Sequence, residues 1–341
     1  MRHLANRIFK LATGSILAAA VGVVSPAGAQ TAPSPASAKL LPAKEGGKTW
    51  AAPRTPDGVP DISGVFTNAS AVPLERPKNL GSKEFYTREE AEANAKKVEN
   101  QKEVVAPGTY GDVHYSMAQF GLEKGQSEIP STVRTSLIVG PEGRVPALLP
   151  EAAKRQAERQ AANRGHEFDG PENRGLAERC IIWPNEGPPM LPEGYNSNLQ
   201  IVQGKGYVAI LQEMIHDVRI IPTDGSAHPP SSVRQLLGDS RGHWEGNTLV
   251  VDTTNFSGQT AFRGSDENLH VIERFTRTDP DTVLYQFTVD DPTTWAQPWS
   301  GEVPISKIDG PIFEYACSEG NYGMRNNLSG ARAAEKQTAQ K

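Results

Sequence analysis

Short segments in which apolar residues alternate with polar ones dominate the chain from residue 196 onward. Such alternation places the apolar side chains on one face and is typical of half-buried β-strands. It predicts eight strands: Leu199–Gln203, Tyr207–Met214, Asp217–Ile221, Thr248–Thr254, Val271–Thr278, Thr282–Asp290, Glu302–Ile308 and Ile312–Cys317. Tight-turn sequences such as Gly204-Lys205-Gly206 join several of them. We therefore predict a mainly β fold across residues 196–322, in which an antiparallel meander forms a barrel-like core or a strongly curved sheet.

Residues 51–195 form a second region, in which prolines and glycines indicate long loops. Its first strand is expected at Ile62–Thr67 and another at Thr135–Val139. One helix is predicted over Thr87–Lys102, because its first four residues form a capping box, and a second over Pro150–Ala162. We expect the first strand and both helices to pack on the core, and residues 323–341 to form a C-terminal tail.

The first 29 residues have the organisation of a cleavable secretory signal. Arg2, Arg7 and Lys10 precede an apolar stretch, and Ala27-Gly28-Ala29 supplies the small residues that signal peptidases require. We therefore expect cleavage after Ala29 and export to a bacterial periplasm, with residues 30–50 as a disordered leader. No other segment approaches about 18 consecutive apolar residues, which argues against membrane insertion.

The formal net charge of the chain is −5, and it becomes about −8 when the three basic residues of the predicted signal are removed. An acidic chain argues against nucleic acid as a partner, because phosphate binding needs clustered Lys and Arg. The 32 Gly and 27 Pro indicate many turns, which suits a β-rich fold better than a helical bundle. The oligomeric state stays open, a homo-oligomer included.

Two cysteines, Cys180 and Cys317, occur in a chain expected to reach an oxidising compartment. They lack the close spacing of a redox-active pair. A reactive thiol pair is the alternative interpretation. We predict that they form one long-range structural disulfide.

Ionisable residues interrupt the apolar pattern between positions 213 and 221. Glu213, Asp217 and Arg219 are separated by even numbers of residues, four and then two, so one strand would present all three to a common space. His216 falls on the opposite face of the same run. Because buried charge is expensive unless it is paired, and is often retained for function, we interpret these residues as a candidate site.

A second run of this kind begins at His270. His270 and Arg274 share one face of the predicted strand, and Glu273 lies on the other. A carboxylate or imidazole in an apolar cavity acquires a pKa nearer neutrality, which suits proton transfer, and an arginine can hold an anionic group. The alternative is an interstrand ion-pair network without catalytic function. The predicted catalytic residues are Glu213, His216, Asp217, Arg219, His270 and Arg274.

Other side chains are candidates for substrate binding, namely Tyr195, Asn255 and Trp295. The chain contains no GxSxG, HExxH, P-loop or dinucleotide-binding sequence, so no cofactor is predicted. No histidines occur at metal-ligand spacing, and no metal is predicted. A zinc site remains an alternative if these residues assemble in the fold: His216, Asp217, His228, His243 and His270.

The region from Pro53 to Arg332 resembles a family of exported, largely uncharacterised bacterial proteins. The resemblance rests on blocks at Glu213–Pro222, Gly238–Phe256, Asn268–Phe275 and Asp291–Trp295. It implies a role in the breakdown of plant-derived aromatic compounds, including lyase or decarboxylase steps. Gly64-Val65-Phe66 is also similar to the Gly-x-Trp first-strand signature of lipocalins, with Phe in place of Trp, which implies a calycin-like barrel of about eight strands.

We therefore expect a cofactor-independent periplasmic lyase. It would decarboxylate, or eliminate a group from, a small aromatic or phenolic acid by acid–base catalysis in a barrel cavity. The alternative is a non-catalytic, lipocalin-like protein that binds a small molecule in the same cavity, and a third possibility is a structural envelope protein.

Overall fold

The computed structural model describes residues 50–99, 132–140, 142–193, 196–260 and 262–340. These residues contain the helices α1 (Arg88–Glu99), α2 (Pro150–Asn163) and α3 (Tyr322–Ala339). They also contain nine strands: β1 (Gly64–Thr67), β2 (Asn198–Gly204), β3 (Tyr207–Gln212), β4 (Val218–Pro222), β5 (Asp239–Glu245), β6 (Thr248–Thr254), β7 (His270–Asp279), β8 (Thr282–Asp290) and β9 (Trp299–Lys307). The predicted signal and leader lie outside the described residues.

All nine strands belong to one sheet in the order β4-β3-β2-β1-β9-β8-β7-β6-β5, with antiparallel pairing between hydrogen-bonded neighbours. The sheet curls into a nearly closed barrel, which confirms the predicted fold class. Because the number of strands is odd, β4 and β5 run parallel where the two edges meet. Close packing joins the edges there: a Cβ atom on Gly242 of β5 would lie 3.0 Å from Cγ2 of Ile221 in β4.

Alternate side chains of the strands occupy the interior of the barrel. The pattern is regular in β8, where Val283, Tyr285, Phe287 and Val289 are buried. The ring centroid of Tyr285 lies 4.9 Å from that of Phe275 and 5.7 Å from that of Phe287. The sequence predicts a cavity inside the barrel. In this part of the interior, packed aromatic and aliphatic side chains fill the space instead.

The predicted strands correspond to β2, β3, β4, β6, β7, β8 and β9, with small shifts at their ends. The strand expected at Ile312–Cys317 is wrong, because that segment joins no ladder and is held instead by the disulfide of Cys317. Strand β5 is not predicted by the hydrophobic pattern. Its outward residues are charged or polar and Gly242 is one of its inward residues, so no apolar alternation is visible.

The N-terminal region contributes directly to the barrel, because β1 lies between β2 and β9. Both predicted helices are present as α1 and α2, with small alanines on their buried sides. The strand expected at Thr135–Val139 is wrong. This segment forms isolated bridges, such as Ile138 with Gly301, and Arg134 beside it pairs with the buried Glu302 of β9. The expected C-terminal tail is largely the exposed helix α3.

Cys180 and Cys317 form a disulfide that links positions 137 residues apart. The prediction of a structural disulfide is therefore confirmed. It connects the segment before Trp183 to the chain that follows β9. Among the described residues, no helix combines the length and apolar character that crossing a membrane requires.

Candidate functional site

Glu213 is buried just after β3, where three groups donate hydrogen bonds to its carboxylate. The side-chain amides of Asn196 and Asn198 donate over 2.7 and 3.1 Å, and the backbone N–H of Phe313 donates over 3.2 Å. These bonds hold two loops against the end of the strand. The carboxylate of Glu213 is therefore satisfied by hydrogen bonds within the fold.

The chain reverses direction immediately after Glu213. Ile215 and His216 have φ angles of 61° and 63°, a left-handed conformation that ends β3 and forms the turn into β4. His216 is exposed, and Asp217 accepts a hydrogen bond of 2.8 Å from the next backbone N–H. The predicted common face of Glu213, Asp217 and Arg219 is therefore wrong, because a turn interrupts the strand.

Arg219 points into the barrel and forms a bidentate ion pair with Glu273 of β7. The two N–O distances are 2.6 and 2.9 Å, and the Glu273 side chain is 0% exposed. Tyr285 donates a hydrogen bond of 2.9 Å to the same carboxylate and accepts one from the backbone N–H of Met190. Burial lowers the pKa of Arg219, but the charge of Glu273, its hydrogen bonds and the charge of Tyr285 together outweigh burial and raise it. The predicted buried charge is therefore present, as a closed ion pair.

A second polar group lies on the outer face of β5, β6 and β7, and we name it the histidine–aspartate cluster: His228, Asp239, Arg241, Asp252 and His270. His228 lies between two carboxylates, with Nδ1 2.7 Å from Asp239 and Nε2 3.2 Å from Asp252. The other oxygen of Asp252 lies 3.2 Å from Nε2 of His270. Arg241 donates two hydrogen bonds to Asp239, over 2.8 and 2.9 Å. Two imidazoles therefore share one carboxylate.

The electrostatics of this cluster favour a charged imidazole at His270. The hydrogen bond to Asp252 raises the pKa of His270, burial opposes the shift, and the charges of Asp252 and Asp290 add to it. Burial raises the pKa of Asp252, but its contacts with His270 and His228 outweigh burial and lower it. The His270 side chain is 39% exposed, so it can meet a ligand as well as its carboxylate partner.

Asn255 positions the loop that carries His228. Its backbone is left-handed, with φ of 57°, and its side-chain amide donates a hydrogen bond of 3.0 Å to the carbonyl of Pro229. Arg234, later in the same loop, donates to the carbonyl oxygens of Phe256 and Glu267. Asn255 therefore affects the histidine–aspartate cluster indirectly, by positioning the loop that carries His228. The predicted contact of Asn255 with substrate stays a prediction.

The other predicted residues lie apart from the cluster. Arg274 forms a surface ion pair of 2.9 Å with Glu245, which also contacts the exposed His243. Trp295 is buried and its ring packs edge-on against Trp299, which is a packing role. Tyr195 lies outside the described residues.

An apolar cleft of about 410 Å³ lies at the end of the barrel where β5 and β7 begin and β6 ends. Its walls come from apolar and uncharged residues within the segment 175–188 and from the chain around Leu237, Phe256 and Leu269. Each of these three residues is one or two positions from the histidine–aspartate cluster or from Asn255. Because consecutive Cα atoms are about 3.8 Å apart, the cleft and the cluster are neighbours.

Glu186 is a further titratable group near the cleft, flanked by the lining residues Asn185 and Gly187. Burial raises its pKa to about 7, helped by the charges of Asp217 and Glu193 and opposed by a hydrogen bond from the backbone N–H of Trp183. One carboxylate oxygen has no hydrogen-bond partner among the described residues. A pKa near neutrality suits proton transfer, although the side chain is buried and does not line the cleft.

The structure brings His270 of the predicted site together with residues that the sequence does not single out as catalytic. The sequence puts His228 forward only as an alternative zinc ligand, and Asp252 is not among the predicted site residues. The sequence does contain one signal for Asp252, because it is the one charged residue of strand β6. Within the described parts of the chain, no group of three or more His, Cys, Asp or Glu side chains is placed to hold a metal ion.

Comparison with protein-family models, curated proteins and solved structures finds no match to this chain.

Proposed function

We propose that the protein is an acid–base lyase that acts on a small, largely apolar carboxylic acid, with an aromatic or phenolic acid as the preferred class. The observation that carries this proposal is the pair of imidazoles, His228 and His270, held on Asp252 beside an apolar cleft. A positioned imidazole transfers protons at near-neutral pH, and an apolar cleft selects the body of the substrate.

His270 is the proton-transfer residue in this proposal. When neutral, its imidazole accepts a proton from the substrate, and Asp252 stabilises the imidazolium that forms. In an elimination, the electron pair of the broken C–H bond forms the new double bond while the leaving group departs with its own pair. In a decarboxylation, the protonated imidazole instead delivers a proton to the carbon that loses carbon dioxide.

The remaining cluster residues act as positioning residues. Asp239 holds Nδ1 of His228, and Arg241 holds Asp239 by two hydrogen bonds. This chain of contacts keeps Nε2 of His228 directed at Asp252. Arg219 and Glu213 have no part in the chemistry proposed here, because their charged groups are engaged within the fold.

Export to a bacterial periplasm is part of the proposal. The disulfide Cys180–Cys317 supports it, because disulfides persist in oxidising compartments. The resemblance to exported bacterial proteins points the same way.

The test is turnover of a panel of aromatic carboxylic acids by the purified protein, followed by mass spectrometry of the products. His270→Gln is expected to reduce the rate by at least about 100-fold, the scale of general acid–base catalysis. His243→Gln is the matched control, because His243 is also a strand histidine beside a carboxylate, 3.2 Å from Glu245. Equal activity of both variants would exclude His270 as the proton-transfer residue.

A non-catalytic binding protein is the second candidate function, and one observation favours it. Arg263 is the only ionisable residue among the described residues that line the cleft, so the cleft itself offers binding more readily than proton transfer. Thermal stabilisation by aromatic acids without any new product would support the binding protein over the lyase.

A further inference from the structure

Arg263 stands out among the residues of the apolar cleft because its guanidinium has no ion-paired or hydrogen-bonded partner among the described residues. Its side chain is exposed at the cleft, and within the described part of the chain it forms no ion pair and no side-chain hydrogen bond. Its guanidinium lies 5.9 Å from the ring centroid of Phe262, over the aromatic wall. Partial burial lowers the pKa of Arg263, and the charge of Glu75 opposes this shift, but Glu75 itself pairs with Arg144 over 3.4 Å.

The backbone holds Arg263 in a conformation that side chains rarely adopt. Its φ and ψ are 49° and 32°, in the left-handed region, where a residue other than glycine costs about 1–2 kcal/mol. The turn is fixed on its C-terminal side, since the Ser265 backbone N–H bonds to the Phe262 carbonyl and the Ser265 hydroxyl bonds to Asp291. A strained residue on a fixed turn is a recognised mark of a functional position.

The cleft around Arg263 suits a flat organic anion. Aromatic rings of Trp183, Phe256 and Phe262 contribute to its walls, and Gln259 adds a polar group at its rim. No Asp, Glu or His is among the described lining residues, so nothing in the lining neutralises the guanidinium. An arginine at an apolar site binds a carboxylate through two charge-assisted hydrogen bonds, which a neutral ligand cannot form.

We propose that Arg263 is the anion-recognition residue of the cleft and that it binds the carboxylate of an aromatic acid whose ring lies between the aromatic walls. This inference rests on the proposed function and deepens it by naming the residue that selects the carboxylate of the substrate. It replaces Arg219, which the sequence puts forward for the same task but which the structure pairs with Glu273.

The experiment is titration calorimetry with 4-hydroxycinnamate and with its methyl ester, which keeps the ring and loses the charge. The wild type is expected to bind the acid at least about 10-fold more tightly than the ester. Arg263→Gln should weaken binding of the acid by about 10- to 100-fold and leave the ester unchanged, and Arg263→Lys should recover part of the loss. Arg325→Gln is the control, because Arg325 is exposed on α3 and does not line the cleft.

Three results would overturn the inference: equal binding of acid and ester by the wild type, unchanged binding of the acid by Arg263→Gln, or no binding of either compound at millimolar concentration. An unchanged melting temperature of Arg263→Gln shows that any loss of binding is local. The proposed catalytic function is tested separately by His270→Gln. If that variant binds and turns over the acid normally while Arg263→Gln does not bind it, the lyase assignment to His270 fails and the assignment of Arg263 stands.

Discussion

Arg219 and Glu273 face each other across the interior of the barrel, with N–O distances of 2.6 and 2.9 Å. The arginine comes from β4 and the carboxylate from β7, so the pair connects distant parts of the sheet. Both side chains are almost fully buried. This ion pair explains why a charged residue lies on the inward face of each of these two strands. The two charges neutralise each other and do not form a site open to a ligand.

Breaking this ion pair should destabilise the fold strongly. Glu273→Gln leaves the buried guanidinium without a counter-charge and is expected to lower the free energy of unfolding by about 3–5 kcal/mol, measured by urea denaturation. The double substitution Arg219→Met with Glu273→Met removes both charges and should recover much of that loss. A loss below about 1 kcal/mol in the single variant would contradict a buried pair.

Glu186 should make the stability depend on pH. Its folded pKa of about 7 lies above its ordinary value, so the folded state binds the proton more tightly than the unfolded state. The free energy of unfolding should therefore fall by roughly 3 kcal/mol as the pH rises from about 5 to 8. Glu186→Gln should remove most of this decline, whereas Glu319→Gln, at an exposed position, should retain it. Parallel pH curves for the wild type and Glu186→Gln would show that the prediction is wrong.

The disulfide should contribute to stability by constraining the unfolded chain. Its cysteines are 137 residues apart, and a loop of that length corresponds to about 4–5 kcal/mol in the chain-entropy treatment. Replacing Cys180 and Cys317 by serine should lower the free energy of unfolding by this amount. The wild type under reducing conditions should match the double variant, and a difference between them would point to an effect of serine itself.

Arg263→Gly should separate stability from ligand binding. Glycine adopts the left-handed backbone without strain, so the free energy of unfolding should stay unchanged or rise by up to about 1 kcal/mol while binding of aromatic acids is lost. Arg325→Gly provides the contrast. It lies within α3, where glycine is unfavourable by about 1 kcal/mol, and it should leave binding intact. A marked loss of stability in Arg263→Gly would mean that the arginine is held for structural reasons.

The hydrophobic pattern predicts most of the barrel because strands with one buried face display a period of two. β6 and β8 have the predicted boundaries for this reason. Strand β5 does not show this alternation, because Gly242 faces inward and the outward residues are charged or polar. Ile312–Cys317 has the apolar composition of a strand, but composition does not reveal that a disulfide holds it outside the sheet.

The candidate site is only partly predictable, because it depends on contacts between distant segments. The sequence identifies His270 and Glu273 as belonging to opposite faces of one strand, and the structure agrees. It does not reveal that the loop after β4 folds back and places His228 on Asp252. Nor does it reveal the turn at Ile215 that separates Glu213 from Asp217 and Arg219.

The most direct test of the central claim is the pH dependence of kcat/KM for an aromatic acid, compared between the wild type and Asp252→Asn. If neutral His270 accepts the proton, the rate rises with pH through its pKa, which the hydrogen bond to Asp252 holds above the ordinary value of a histidine. Asp252→Asn removes that carboxylate and should move the midpoint to lower pH. An identical midpoint in both proteins, with turnover retained, would contradict a proton-transfer role for the His270–Asp252 pair.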